Sequence, residues 1–316
     1  MASKPTIFID GEAGTTGLQI RDRLKSRLDL ELVSIAPEKR KDAAARAELL
    51  NGVDIAVLCL PDESAVEAVS LIGSTSKTRV IDASSAFRVN PAWTYGFPEM
   101  DTHQAAKIAS ASRVSNPGCW PQGLIALVKP LIDAGLLSRD VSLTYSGVTG
   151  YSGGGKKMIE DYVAKGQTAS EFTPYALTFN HKHLPEMKIY TGIKHDVLFQ
   201  PVVGDFAQGM LTTVPLFASQ MKSGTSLAQI HDVISAHHAD ARFVEVALLG
   251  ASEPMNPEAL NNTNRMQLSV YGNEARGQFV LMANYDNLGK GASGAAVQNL
   301  NLMIGADEGL STDLTV

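Results

Sequence analysis

Apolar positions in the first third of the chain fall into short runs separated by stretches of helical spacing. Residues 6–10, Thr-Ile-Phe-Ile-Asp, form a β-branched and aromatic run that ends in glycines and predicts a strand. Leu18, Ile20, Leu24 and Leu28 then recur at a loosely helical period and predict the apolar stripe of a helix. Residues 31–35 predict a second strand, followed by Pro37 and the charged stretch 38–42. An alanine-rich helix is expected up to Leu50, with Asn51-Gly52 as its C-cap. Residues 55–60 are continuously apolar, as a strand buried on both faces should be. Asp62 is expected to cap a helix with the stripe Ala65, Val66, Val69 and Ile72, and residues 79–82 to form a fourth strand. Repeated β-α-β order implies a parallel sheet with right-handed crossovers, hence a doubly wound α/β domain.

From residue 141 onward the texture changes. Residues 141–146, 197–203, 210–217, 242–248, 265–271 and 278–284 predict strands, several with period-two alternation. Helices are expected after Ser152, near 185–193 and over 226–237. That pattern predicts an α+β domain on a largely antiparallel sheet. A last helix, about 292–304, carries Ala292, Ala295, Ala296, Leu300 and Met303 on one face and is expected to return to the first domain. The division is therefore 1–118 with 288–316 as a dinucleotide-binding domain, and 119–287 as a catalytic and oligomerisation domain.

Composition narrows the function. With 316 residues, 44% hydrophobic and 19% charged, the chain is globular. A net charge of −6 argues against nucleic acid or an anionic membrane as partner. The N-terminus lacks an apolar signal region, and the longest strongly apolar run, 55–60, falls far short of the roughly 20 residues of a membrane helix. A cytoplasmic location is expected. Two cysteines make neither a disulfide framework nor a four-thiolate metal site, and no metal is expected.

Several segments carry candidate chemistry. Gly11, Gly14, Thr15, Thr16 and Gly17 lie between the first strand and the first helix. There glycines let a pyrophosphate approach the backbone and the helix N-terminus donates N–H groups. The spacing is G-x-x-G-x-x-G, so a ligand-free glycine turn competes with the dinucleotide reading, which the strand–glycine–helix context favours. The tip of the second strand, Ser34-Ile35-Ala36, carries no acidic residue, and Lys39, Arg40 and Lys41 follow. Such a run is usually a solvated helix start and Glu38 leaves NAD open, but a nearby cation suits a 2′-phosphate and favours NADP(H). Cys119 precedes Leu124, Leu127, Val128 and Leu131, the stripe of an amphipathic helix, and so sits where a helix start favours thiolate. Cys59, inside an apolar run, is the expected inert thiol. His181 and His183 supply an acid/base partner, since no further Cys/His cluster completes a zinc set. Ser84 and Arg88 offer a hydroxyl and a guanidinium after the fourth strand. Ser146 opens a glycine-rich stretch ending in Lys156 and Lys157, a phosphate loop or a plain surface loop, and Lys290 opens the last helix as a cofactor contact.

On these residues the chain resembles the N-acetyl-gamma-glutamyl-phosphate reductases of the shorter, type 2 form. The similarity runs over essentially the whole length, through segments 7–17, 58–61, 95–99, 116–119, 146–157, 181–186 and 290–303. Pro-Gly-Cys is the specific element; the related aspartate-semialdehyde dehydrogenases usually carry Asn-Cys. Gln122 departs from the threonine the family commonly has there. The resemblance implies NADPH-dependent reduction of an acyl phosphate to an aldehyde in arginine biosynthesis, through a thioester on Cys119, by a homodimer or homotetramer. It implies that His181 or His183 moves the proton; the sequence does not order them, and His183 is the first choice. It places Arg88, Asn116, Gln122, Ser146, Lys156, Lys157 and Glu186 with the substrate. Two alternatives stay open: a related reductase acting on another acyl phosphate such as aspartyl phosphate, and a dinucleotide-binding regulator without turnover, which leaves Cys119 and the histidines without a role.

Overall fold

The computed structural model describes residues 4–250 and 255–314. The chain forms two compact units. One comprises the described parts of Met1–Pro98, His103–Pro117 and Ala292–Val316, the other Glu99–Thr102 and Gly118–Gly291.

In the first unit, β1 (Thr6–Asp10), α1 (Thr15–Leu24), β2 (Glu31–Val33), α2 (Ala43–Gly52), β3 (Ile55–Leu58), α3 (Asp62–Ser70) and β4 (Arg79–Asp82) alternate strictly. They are followed by β5 (Thr94–Tyr95), α4 (Gln104–Ser110) and β6 (Arg113–Ser115), none of which the apolar pattern predicted. The six strands run in the order β2-β1-β3-β4-β6-β5, every pair parallel. Alternation along the strands supplies two cores. Ile7, Ile9, Val57 and Ile81 pack on one face with Ile20 and Leu24 of α1, while Phe8, Ala56, Leu58 and Val80 pack on the other with Leu50 and Ala68. The last helix, numbered α9 in chain order (Gly294–Ile304), joins the first of these through Ala296, Val297, Leu300 and Met303.

The expected stripes need correction in detail. Leu18 and Leu28 are exposed, because α1 ends at Leu24 and turns Ile20 and Leu24 inward. Val66 is exposed as well, and Ala65 and Ala68 form the buried side of α3. Asp62 is not that helix's cap, which is Pro61; its carboxylate accepts from the backbone N–H and hydroxyl of Ser85. Helix α2 continues through Gly52 to a C-cap at Val53, and Asn51 ties its end to the Leu71 carbonyl.

The second unit opens with α5 (Cys119–Asp133), β7 (Thr144–Gly150), α6 (Gly155–Lys165), β8 (Phe172–Pro174) and α7 (Leu184–Thr191). It continues with β9 (Leu198–Gly204), β10 (Met210–Phe217), α8 (Leu227–His237), β11 (Val244–Val246), β12 (Met266–Asn273) and β13 (Gln278–Tyr285). The sheet order is β11-β12-β13-β10-β7-β9-β8, with β11/β12 and β7/β9 parallel and the other four pairs antiparallel. Strand β7 lies later than the pattern predicted, so Ser146 falls inside it. No helix among the described residues is long and apolar enough to cross a membrane.

Helix α5 is buried along almost its whole length. Gly123 permits its contact with the sheet, since a Cβ there would lie 2.8 Å from Thr212 Oγ1 and 2.9 Å from the Tyr285 hydroxyl. Pro130 sits inside the helix and has no N–H, so the Ala126 carbonyl loses its partner four residues on. His238 replaces that donor: its Nε2 lies 3.0 Å from the Ala126 oxygen, which assigns the ring proton to Nε2. Burial holds this histidine down at about 4, so it stays neutral.

Replacing His238 with Phe should destabilise the protein by about 1–3 kcal/mol, the cost of an unsatisfied buried carbonyl. In a Pro130→Ala background the new N–H serves Ala126, and most of that loss should vanish in urea unfolding; equal losses in both backgrounds would refute the pairing. The pH dependence has a definite sign. An unfolded histidine takes its proton near 6.5 and the folded ring only near 4, so acidification through that window removes stability. His238→Phe should lose less stability across it.

Candidate active site

Cys119 is the first residue of α5, behind the N-cap Gly118. Three hydrogen bonds fix this helix end. The Gly118 N–H donates to Glu186 Oε2 at 2.9 Å, the Tyr285 hydroxyl to the Cys119 carbonyl at 2.7 Å, and the Tyr145 hydroxyl to the Trp120 carbonyl at 2.8 Å. Burial pushes both tyrosine hydroxyls up, so they remain protonated donors at neutral pH. A thiol at a helix start lies among N–H groups that favour its thiolate. Cys59 has the opposite setting: desolvation, then the carboxylates of Asp82 and Asp10, push its thiol up and keep it protonated. Neither cysteine forms a disulfide.

The paired histidines stand at the start of α7, with His183 as its N-cap. The His183 backbone N–H donates to His181 Nδ1 at 3.1 Å, which leaves Nε2 to carry the proton of a neutral His181. The two rings meet edge to face at 4.7 Å. His181 also packs on Phe199, which packs on Trp120, and Trp120 Nε1 donates to the Tyr175 hydroxyl. Glu186, buried and one turn beyond His183, is the residue bonded to Gly118. The head of α7 is thereby tied to the residue directly before the cysteine.

Other residues expected at the site lie elsewhere or do something different. Ser146 faces away from α5. Tyr145 reaches Trp120 and a Cβ on Gly147 would meet the Trp120 ring, while Ser146 and Val148 line a cavity of about 420 Å³ with Val202 and Phe179. Lys156 and Lys157 are exposed on the first turn of α6, and Lys156 faces Glu160 at 3.8 Å. Lys290 is fully buried, with its ammonium 2.7 and 2.8 Å from the two oxygens of Glu99, so it is held inside the second unit rather than offered to a cofactor. Gln122 is also buried, and its Nε2 donates to the Lys290 carbonyl at 2.8 Å. In the first unit, Arg88 donates to the carbonyls of Asn116 and Ala83, Asn116 accepts from Asn299, and Ser84 donates to Asp82. Asp82 is raised to about 6 by burial.

The glycine loop of the first unit fits a pyrophosphate. Gly11 has φ +91°, and a Cβ on Gly17 would overlap the Gly11 carbonyl. Gly14 is the N-cap of α1 and no side chain caps that helix, so the first-turn N–H groups of Thr15, Thr16 and Gly17 face outward for an anion. Beside it the structure shows residues whose pairing the sequence did not disclose. Glu12, buried within the loop, accepts from Arg40 at 2.8 Å, Arg21 at 3.1 Å and Ser34 at 3.1 Å. Lys39 lies exposed in the turn Pro37–Lys39. A charged residue inside the glycine motif was the available signal. Among the described residues no group of three or more His, Cys, Asp or Glu side chains could hold a metal ion.

Fold and site together define an oxidoreductase of the semialdehyde dehydrogenase class: residues 6–108 match the family model of the semialdehyde dehydrogenase NAD binding domain, and residues 119–287 that of the semialdehyde dehydrogenase dimerisation domain. The chain is 58% identical over 303 residues to the N-acetyl-gamma-glutamyl-phosphate reductase of Chelativorans sp. (strain BNC1), covering 94% of this chain and 97% of that one. It is 57% identical to the enzyme of the same name from Mesorhizobium japonicum, covering 96% and 99%. It belongs to the N-acetyl-gamma-glutamyl-phosphate reductase family. Among solved structures, aspartate semialdehyde dehydrogenase II from Vibrio cholerae, complexed with ASA, shares the fold with a TM-score of 0.72 at 18% identity, over 96% of this chain and 99% of that one.

The two thiols should separate chemically. Iodoacetamide near pH 7.5 is expected to modify Cys119 in the folded protein and to leave Cys59 intact by peptide mass mapping; equal labelling of both would contradict the assigned environments.

Proposed function

We propose that this chain reduces N-acetyl-gamma-glutamyl phosphate to N-acetylglutamate 5-semialdehyde and phosphate with NADPH, in arginine biosynthesis. The observation that carries the reading is Cys119 at the head of α5, tied through Gly118 and Glu186 to the histidine pair. The tasks divide along the chain. The first unit holds the dinucleotide, and the second unit holds the nucleophile.

His183 takes the Cys119 proton, and the thiolate attacks the acyl carbon. As the carbon–oxygen bond to phosphate breaks, the imidazolium returns its proton to the departing phosphate, leaving a thioester on Cys119. NADPH, when bound at the Gly11–Gly17 loop, supplies the hydride that reduces the thioester carbon. Collapse of the resulting thiohemiacetal oxyanion breaks the carbon–sulfur bond, frees the aldehyde and restores the Cys119 thiolate. His181 supports the proton carrier through its Nδ1 bond to the His183 backbone. Arg88 and Asn116 serve the substrate's charged groups. The loop's fit to a pyrophosphate supports Gly11, Gly14, Thr15, Thr16 and Gly17 as cofactor residues, with Ser84 beside them.

Preference for NADP rests on Arg40 rather than Lys39. Arg40 reaches Glu12 at the glycine loop, and a 2′-phosphate offers its guanidinium a second anionic partner. The outer face of the seven-stranded sheet, where Leu198 and Phe217 are exposed, supports assembly as a homodimer or a homotetramer built from it. Two cysteines outside any disulfide fit a reducing, cytoplasmic setting.

With N-acetylglutamate semialdehyde, the enzyme should reduce NADP only when phosphate is present, and Cys119→Ser should lower kcat by at least about 10³-fold. Wild-type turnover by that variant would sink the mechanism. Arg40→Ala should raise KM for NADP about fivefold, the equivalent of ~1 kcal/mol for one exposed charged contact, and leave KM for NAD nearly unchanged. An equal effect on both cofactors would remove Arg40 from the 2′-phosphate.

A further inference from the structure

Residues Gly289–Ser293 form a single π-helical turn between β13 and α9. Within it, Gly291 lies directly against the nucleophile: a Cβ added to Gly291 would stand 3.0 Å from the Cβ of Cys119. The turn therefore forms part of the wall that confines the cysteine side chain, and its own position must be fixed.

Three anchors fix it, all inside the second unit. Asp286, buried, accepts from the N–H groups of Leu288 and Asn262 and from Gln208 Nε2, and its carbonyl accepts from the Gly291 N–H at 2.8 Å. The Lys290 ammonium is buried against both oxygens of Glu99 and stands 5.6 Å from the centre of the Phe243 ring. These two hold the turn to the body of the unit. The third holds it to the catalytic helix itself, for Gln122, one turn after Cys119 on α5, donates Nε2 to the Lys290 carbonyl. Gln122 is buried, and its Oε1 meets no donor among the described residues. Its carboxamide is thus held by one bond alone, and that bond spans the gap between Cys119's helix and the turn that walls Cys119.

We propose that Gln122 is a positioning residue for Cys119, acting through the Lys290 carbonyl to set the distance between Gly291 and the nucleophile. The proposal rests on the reading of Cys119 as nucleophile given above. Without the Gln122 bond the turn keeps its anchors at Asp286 and Glu99 but loses this tie to α5, and the wall beside the Cys119 side chain loosens. A misplacement of about 1 Å at a reacting atom can cost about 10²-fold in rate.

The test uses Gln122→Met, which keeps the length and apolar body of the side chain but cannot donate. It should lower kcat by about 10- to 100-fold while KM for aldehyde, phosphate and NADP stays within about threefold. The second-order rate of Cys119 alkylation by iodoacetamide should rise by about threefold or more as the wall loosens. A purely structural glutamine would lower Tm and leave kcat of the folded enzyme and the alkylation rate where they were. Turnover within about twofold of the parent, or a change confined to KM, overturns the proposal. If Gln122→Met does not fold, Gly291→Ala decides. Its added methyl presses on Cys119, and it should lower kcat at constant KM; unchanged kcat overturns the proposal. An inactive parent would instead refute the assigned reaction. In that event the Cys119 alkylation rates of parent and Gln122→Met still decide the positioning role, identical rates refuting it.

Discussion

The second unit is organised around the N-terminus of one helix that has almost no freedom to move. Helix α5 is enclosed along nearly its whole length, and three polar backbone groups at its start are matched to side chains from three different elements. Glu186 of α7 takes the Gly118 N–H, Tyr285 of β13 serves the Cys119 carbonyl, and Tyr145 of β7 serves the Trp120 carbonyl. Farther along, His238 repairs the vacancy that Pro130 leaves at Ala126. A helix held this way transmits little slack to its first residue. Reactive groups on rigid elements keep their geometry better than groups on loops, and Cys119 gains that rigidity at the one position of a helix where the backbone also favours an anion.

Two features of opposite electrostatic sense meet at that position. Helix N–H groups draw charge toward Cys119, whereas Glu186 places a buried carboxyl on the neighbouring Gly118. A thiolate that is stabilised too strongly is a weaker nucleophile, because intrinsic reactivity falls with basicity. Glu186 also ties the histidine-bearing end of α7 to the same spot. Tyr175, which accepts from Trp120 Nε1, joins the same group of side chains.

Much of this was legible in the chain because it is local. The alternation of strand and helix, the glycines after β1, the helix start at Cys119 and the histidines before α7 are all statements about neighbours within a few residues. Period and spacing report on those directly. The unit boundary was less legible. Glu99–Thr102 and the chain through Gly291 belong to the second unit, while the reading ended that unit at 287 and left Glu99 in the first. The reason is the Glu99–Lys290 pair, whose members stand 191 residues apart, a separation that no window along the sequence can span. Lys290 looked like a ligand because a lysine among glycines at a helix start usually faces solvent, and only the partner explains its burial.

Ser146 shows a second kind of failure, one of phase. Placed at the end of a strand, it belonged to a loop and could turn toward substrate. With β7 spanning Thr144–Gly150, it is an interior strand residue, and alternation sends it to the side opposite Tyr145. A strand's ends are weakly encoded by propensity, yet each residue's side of the sheet depends on its parity within the strand. The apolar pattern did not settle that parity here, because Ser146, Gly147 and Val148 carry no strong contrast. What set it was contact across the unit: a Cβ on Gly147 would meet the Leu211 carbonyl of the neighbouring strand and the Trp120 ring, and the Tyr145 hydroxyl donates to the Trp120 carbonyl. Residues that pack against the nucleophile's helix therefore decide which of their neighbours can reach the chemistry. Glycines that look like flexible loop residues in the sequence can mark close packing instead.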